Sequence, residues 1–179
     1  MVDVNKFFKF LNKNDIKFFS GVPDSVLKNT RWIFEKKNKR QHIITANEGS
    51  AIASCIGYFL ATGKIPCAYM QNSGLSNALN PLISIANKKV YSIPLILIIG
   101  WRGSPKVKDE PQHNVKGKIT IDILRLLNIK YTIVRKNSDL VKFNKQIKNA
   151  KKNNDIVACL IEQSTLEKNK KIHQHKRFL

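Results

Sequence analysis

Thr45-Ala46-Asn47-Glu48-Gly49-Ser50-Ala51 is the stretch on which the reading of this chain turns. The apolar run at residues 42–46 has the length and character of a strand, and residues 50–62 are small and apolar at helical spacing. Glu48 therefore falls at a strand-to-helix junction, among small neighbours (Gly49, Ala51, Ala53, Ser54) that leave room for close packing. Open α/β sheets bind ligands at such junctions. An acid at a helix start also has an ordinary explanation, the favourable field of the helix N-terminus. The surroundings decide between the two. Across residues 42–101 only Glu48, Lys64, Lys88 and Lys89 are charged, although the 179-residue chain holds 32 Lys+Arg and 12 Asp+Glu. So little charge implies burial, within the domain or against a partner. A lone carboxylate there resists ionisation unless paired, which makes Glu48 the first functional candidate.

Working outward, the pattern alternates. A helix is expected over residues 3–12, with Val4, Phe7, Phe8 and Leu11 on one face, and a strand over 16–20. The strand ends in Gly21-Val22-Pro23-Asp24-Ser25, a turn in which Asp24 or Ser25 can cap a helix running through Phe34. A third strand (66–70) leads through Gln71-Asn72-Ser73-Gly74 into a helix with Leu75, Leu79, Leu82 and Ile83. The fourth strand (95–99) is continuous and apolar, as in a parallel strand buried on both faces. A long irregular loop (100–117) concentrates Trp101, Arg102, Lys108, Asp109, Glu110, Gln112 and His113, and loops of that length tend to be functional. Helix 119–127, strand 131–134, basic helix 138–152 and strand 156–161 complete six alternations. The expected fold is α/β and three-layered, a mostly parallel six-stranded sheet with helices on both faces. Residues 1–165 form the domain and 166–179 a basic polar tail, expected to be flexible.

Composition narrows the class. With 42% hydrophobic and 25% charged residues the chain is globular. Cys55, Cys67 and Cys159 sit in apolar runs without metal-ligand spacing, as buried thiols of a reducing compartment do. There is no signal-peptide pattern and no apolar run of membrane-spanning length, so a cytoplasmic protein without membrane contact is expected. The net charge of +20 raises nucleic acid as a partner. The lysines are scattered over helix surfaces, however, and aromatic residues are not interleaved with them, which argues against it. A basic domain equally suits an anionic substrate or an acidic protein.

Four motifs in order carry a family likeness. Gly21-Val22-Pro23-Asp24-Ser25, Ala46-Asn47-Glu48-Gly49-Ser50-Ala51, Gln71-Asn72-Ser73-Gly74-Leu75-Ser76-Asn77-Ala78-Leu79-Asn80-Pro81-Leu82 and Gly100-Trp101-Arg102-Gly103, with Lys108 to His113 behind it, resemble phosphonopyruvate decarboxylases and the alpha subunits of sulfopyruvate decarboxylases. These are thiamine diphosphate enzymes, and the likeness covers their pyrimidine-binding domain. It implies that Glu48 hydrogen-bonds the aminopyrimidine ring of the cofactor, with Asn72 and Gly74 shaping the backbone turn beside it. Asp24 matches an acid that assists proton transfer, and His113 a proton-transfer or substrate-orienting group. Ser25, Arg102 and Lys108 are the candidates for an anionic head group, Arg as a bidentate fork and Lys as a point charge. Asp24 also reads as a helix cap, His113 as a surface histidine, and Arg102 as a partner of Asp109 or Glu110.

The family holds the diphosphate through Mg²⁺ with a Gly-Asp-Gly motif on a second domain, and this sequence has no Gly-Asp-Gly. The resemblance thus implies half an active site, completed by a diphosphate-binding beta subunit or a C-terminal domain in a hetero- or homo-oligomer. The substrate would be a small anionic 2-keto acid, phosphonopyruvate first and sulfopyruvate second. A catalytically idle subunit is the alternative of another class.

Overall fold

The computed structural model describes residues 1–105 and 107–167; the expected tail from residue 168 onward lies outside them. Strand β1 (Val2–Asp3) leads into α1 (Val4–Lys13), whose start is capped by the Asp3 carboxylate accepting from Lys6 N at 2.8 Å. Val4, Phe7, Phe8 and Leu11 form its buried stripe, as their spacing requires. Strand β2 (Phe19–Gly21), a 3₁₀ turn at Lys28–Thr30, α2 (Arg31–Glu35) and β3 (His42–Ile44) follow. Then come α3 (Glu48–Thr62), β4 (Cys67–Gln71), a 3₁₀ turn at Asn72–Gly74, α4 (Leu75–Pro81) and a π-helical turn at Leu82–Ala86. The chain continues through β5 (Leu95–Trp101), α5 (Pro111–Leu126), β6 (Lys130–Val134), α6 (Asp139–Asn153), β7 (Ile156–Glu162) and β8 (Leu166–Glu167).

Six strands form one sheet in the order β3-β2-β4-β5-β7-β6, every neighbouring pair parallel. All seven residues of β5 are buried. Ile96 and Ile98 face a core with Phe7, Leu11, Phe143 and Ile147, whereas Leu95, Leu97 and Ile99 face another with Ile52, Cys55, Leu75 and Leu124. Helices therefore cover both faces, and a continuous apolar strand is what such a position demands. The three cysteines are free and buried. No described helix is long and apolar enough to cross a membrane.

Chain order reverses between β2 and β4: β2 connects outward to β3, and β4 in the opposite direction to β5. The crevice at their carboxyl ends is the topological switch point, where doubly wound sheets take ligands.

Three expectations change. The helix after Ser25 is short, because the Asp24 carboxylate accepts from Val26 N and Leu27 N at 3.1 and 3.2 Å and the chain makes a 3₁₀ turn before α2. The long loop 100–117 shrinks at both ends. Strand β5 extends to Trp101, and α5 begins at Pro111, a residue suited to the first helical position because it lacks an N–H. Gly117, expected in the loop, is inside α5, where a Cβ would overlap the carbonyl of Gly103. Finally, Leu166 and Glu167 pair with Val2 and Asp3, so regular structure reaches two residues past the expected boundary at 165.

Candidate active site

Asn47 is extended and caps α3, its side-chain oxygen accepting from Ser50 N at 2.9 Å. This fixes Glu48 as the first residue of the helix, at the carboxyl edge of the sheet. Its side chain lies across Gly74: a Cβ there would overlap the Glu48 carboxyl group. On α4, Asn77 Nδ2 donates to Glu48 Oε2 at 2.9 Å. Glu48 is half-buried, not enclosed as its charge-poor neighbourhood suggested, because α3 covers the sheet with one face only and leaves Gly57 and Leu60 open. Gly74 is thus a seat for the acid, and Asn77 a holder of one of its oxygens.

Asp24 is seated in the same way. The Gly21–Ser25 segment brings its carboxyl group onto Gly100, the point in β5 where a Cβ would overlap Asp24 Oδ2. Burial pushes the Asp24 carboxyl above the usual range, opposed by the backbone N–H groups of Val26 and Leu27 and by the charge of Arg102. Asp24 thus binds N–H groups of its own turn and caps neither the 3₁₀ turn nor α2, and its half-buried carboxyl has a raised pKa.

Arg102 is committed within the chain. Its Nε and Nη2 donate to Asp109 Oδ2 and Oδ1 at 2.7 and 2.5 Å, and Gly103 N and Glu110 N donate to the same carboxylate at 3.0 and 2.9 Å. The Arg102 guanidinium holds the Asp109 carboxyl far below its ordinary range. Arg102 Nη1 also reaches Ser25 Oγ at 3.3 Å. As a free fork for a substrate anion, Arg102 is a correction to the sequence reading: its bidentate geometry is spent on Asp109. Lys108 is exposed and forms no ion pair among the described residues.

His113 is in the first turn of α5, not on a loop, with its carbonyl against Gly103. Its Nδ1 is buried without a hydrogen-bond partner among the described residues. The Asn72 side chain is also occupied: Nδ2 donates to Arg102 O and Thr120 Oγ1 at 3.0 and 2.9 Å, and Oδ1 accepts from Arg102 N at 3.0 Å. It ties the ends of β4, β5 and α5 together, so the amide itself is not available to a cofactor. Asn77 was the residue missed. Its signal was a lone amide in the first turn of a mostly apolar helix following Gly74.

The structure therefore gathers Asp24, Ser25, Arg102 and His113 around the end of β5, and Glu48, Gly74 and Asn77 beside the end of β4. A carboxyl group in a glycine-floored seat, with one oxygen held by an amide, fits a role of hydrogen-bonding a heteroaromatic ring nitrogen. Among the described residues no group of three or more His, Cys, Asp or Glu side chains could hold a metal ion.

Comparison with known proteins points the same way. Residues 4–126 match the family model described as thiamine pyrophosphate enzyme, N-terminal TPP binding domain. The chain is 39% identical over 99 residues to a phosphonopyruvate decarboxylase of Streptomyces viridochromogenes, covering 55% of this chain and 24% of that protein. A phosphonopyruvate decarboxylase of Streptomyces hygroscopicus is 35% identical, with 69% and 30% covered. The alpha subunit of sulfopyruvate decarboxylase from Methanococcus maripaludis is 33% identical, with 69% of this chain and 72% of the relative covered. The chain thus spans less than a third of the phosphonopyruvate decarboxylases that it matches. In fold it is similar to a benzoylformate decarboxylase of Polynucleobacter necessarius, with TM-score 0.69 and 18% identity over 94% of this chain and 31% of that one.

Proposed function

The chain belongs to the thiamine pyrophosphate enzymes, whose N-terminal TPP-binding domain it carries, and from that premise we propose that it is the pyrimidine-binding half of a decarboxylase for anionic 2-keto acids. Phosphonopyruvate is the first substrate and phosphonoacetaldehyde plus CO₂ the products. Sulfopyruvate is the second, favoured by the relatives that match over most of their length.

The carrying observation is the seating of Glu48 on Gly74 at the carboxyl edge, with Asn77 holding Oε2. Glu48 would hydrogen-bond the aminopyrimidine ring of thiamine diphosphate, and Gly74 would leave room for both. When bound, the cofactor supplies the electron sink that lets CO₂ leave a 2-keto acid. Asp24, whose pKa burial raises, and His113 would be the proton-handling groups near the reacting carbon. Mg²⁺ and the diphosphate belong to a partner chain or a further domain. The exposed Leu60 and Ile83, on α3 and on the π-helical turn that continues α4, support contact with that partner.

The test is CO₂ release from phosphonopyruvate and from sulfopyruvate, with thiamine diphosphate and Mg²⁺, by this chain alone and mixed with a diphosphate-domain partner. Turnover only in the mixture is expected, and the faster substrate identifies the head group. An associated but inactive mixture would replace this reading with that of an idle subunit.

A further inference from the structure

Among the described residues, a cleft of about 570 Å³ opens between the Gly21–Ser25 turn, α2 and the end of β3. Its lining includes Asp24, Lys28, Phe34, Lys37, His42 and Tyr69. We propose that this cleft seats the anionic head group of the substrate, with Lys37 as its principal cation, exposed Lys28 as the second, and Asp24 at the reacting end. The inference rests on the decarboxylase reading and deepens it, by giving the head group a place that Arg102 does not supply.

Charge accounting in the cleft carries the argument. Of the carboxylates, Glu35 is paired with Arg31 at 2.6 Å, and Asp24 accepts from two backbone N–H groups. Neither Lys28 nor Lys37 has a carboxylate within ion-pair distance among the described residues. The Lys37 ammonium lies 5.0 Å from the centre of the Phe19 ring, and its burial disfavours the charged form. A half-buried cation without a counter-charge gains most from an anion that enters beside it. The aromatic lining adds no charge: Phe34 stacks on His42 and on Tyr69, each pair with ring centres 4.6 Å apart, and His42 Nε2 lies 2.9 Å from the Tyr69 hydroxyl. Burial keeps that phenol protonated and that imidazole neutral, so neither opposes an anion. The volume admits a three-carbon acid with a tetrahedral head group and leaves space beyond it.

Methylphosphonate, which has the head group without the keto acid, is titrated calorimetrically into the chain. Saturable binding is expected, weakened tenfold or more by Lys37→Met. Lys88→Met, at a lysine paired with Asp155 instead, should leave it unchanged. Absence of binding, or binding that Lys37→Met does not weaken, overturns the proposal. Should Lys37→Met fail to fold, the His42 imidazole resonances of the wild-type chain are the readout, and no shift on adding methylphosphonate overturns it equally. In the assembled enzyme Lys37→Met should raise KM for phosphonopyruvate about tenfold and that for pyruvate little; equal effects on both count against it. Glu48→Gln should lower turnover by about 10³-fold and spare methylphosphonate binding, so failure of the decarboxylase reading and failure of the anion site are told apart.

Discussion

Glu48 and Asp24 are both acids seated on a glycine at the carboxyl edge, yet their surroundings differ. Asp24 is caught by its own turn: two backbone N–H groups bind it, Arg102 is nearby, and burial raises its pKa. Glu48 has one side-chain bond, from Asn77, and is half-buried. The first is bound by its own turn and seated against Gly100 and Arg102 from the end of β5, and the second is held across α3 and α4 by one amide. Burial shifts the first toward its protonated form, whereas the second, held by one amide, is open to hydrogen-bonding a ligand.

The largest expected effect attacks the second acid. Glu48→Gln should lower kcat/KM in the assembled enzyme by about 10³-fold, the range for loss of a positioned proton-handling group, while the thermal melt of the chain stays within a few degrees. Turnover near the wild-type rate would remove Glu48 from the mechanism.

Next comes the support of the first. The Asp109 side chain is 3% exposed and holds Arg102 in place beside Asp24 and Ser25. Asp109→Asn should destabilise the fold by about 3 kcal/mol, as stranding one member of a buried pair does, measured by urea unfolding. The pH dependence has a definite sign. With its folded pKa depressed, wild-type Asp109 contributes stability above its unfolded pKa of about 4, and that contribution is lost as pH falls further toward the folded value. Asp24, raised, acts oppositely: its ionisation costs stability above the unfolded pKa, a cost that disappears as pH falls through that range. Curves of stability against pH for the two Asn variants should therefore diverge from wild type in opposite directions at neutral pH, and parallel curves would break the comparison.

The two seats can then be exchanged. Gly74→Ala should displace Glu48 and cost about tenfold in turnover, near one pKa unit's worth of free energy, and add nothing in a Glu48→Gln background. Gly100→Ala should act on Asp24, destabilising the chain by about 1–3 kcal/mol through overpacking, with the loss seen in the melt before it is seen in cofactor affinity. Smallest is Asn77→Ala, which removes one hydrogen bond to a charged group. A three- to tenfold loss is expected, about 1 kcal/mol, with weaker thiamine diphosphate binding by calorimetry as its second readout.

How much of this the sequence shows depends on the range of the forces involved. Strand β5 and the buried stripe of α1 are legible because burial repeats with the period of the element. Glu48 is legible as an isolated charge in an apolar segment. The start of α5 was hidden by Gly117, which reads locally as a helix breaker and is required by the backbone of Gly103. Arg102 had two readings, fork or ion pair, and only three-dimensional proximity to Asp109 selects one. Asn72 carries the same chemical signal as Asn77, and the fold alone decides that the first braces strands and the second holds an acid.

The β5–β7 ladder has a consequence for how the chain folds. Leu95 pairs with Ile156, so the central strand meets one of its neighbours only after α5, β6 and α6 have been made. Contacts so distant in sequence slow folding and leave an apolar edge uncovered meanwhile. The net charge of +20 lies almost wholly outside that apolar centre. Partly folded copies therefore repel one another while their strands are still unpaired, and the lysines keep the chain in solution long enough to close its sheet.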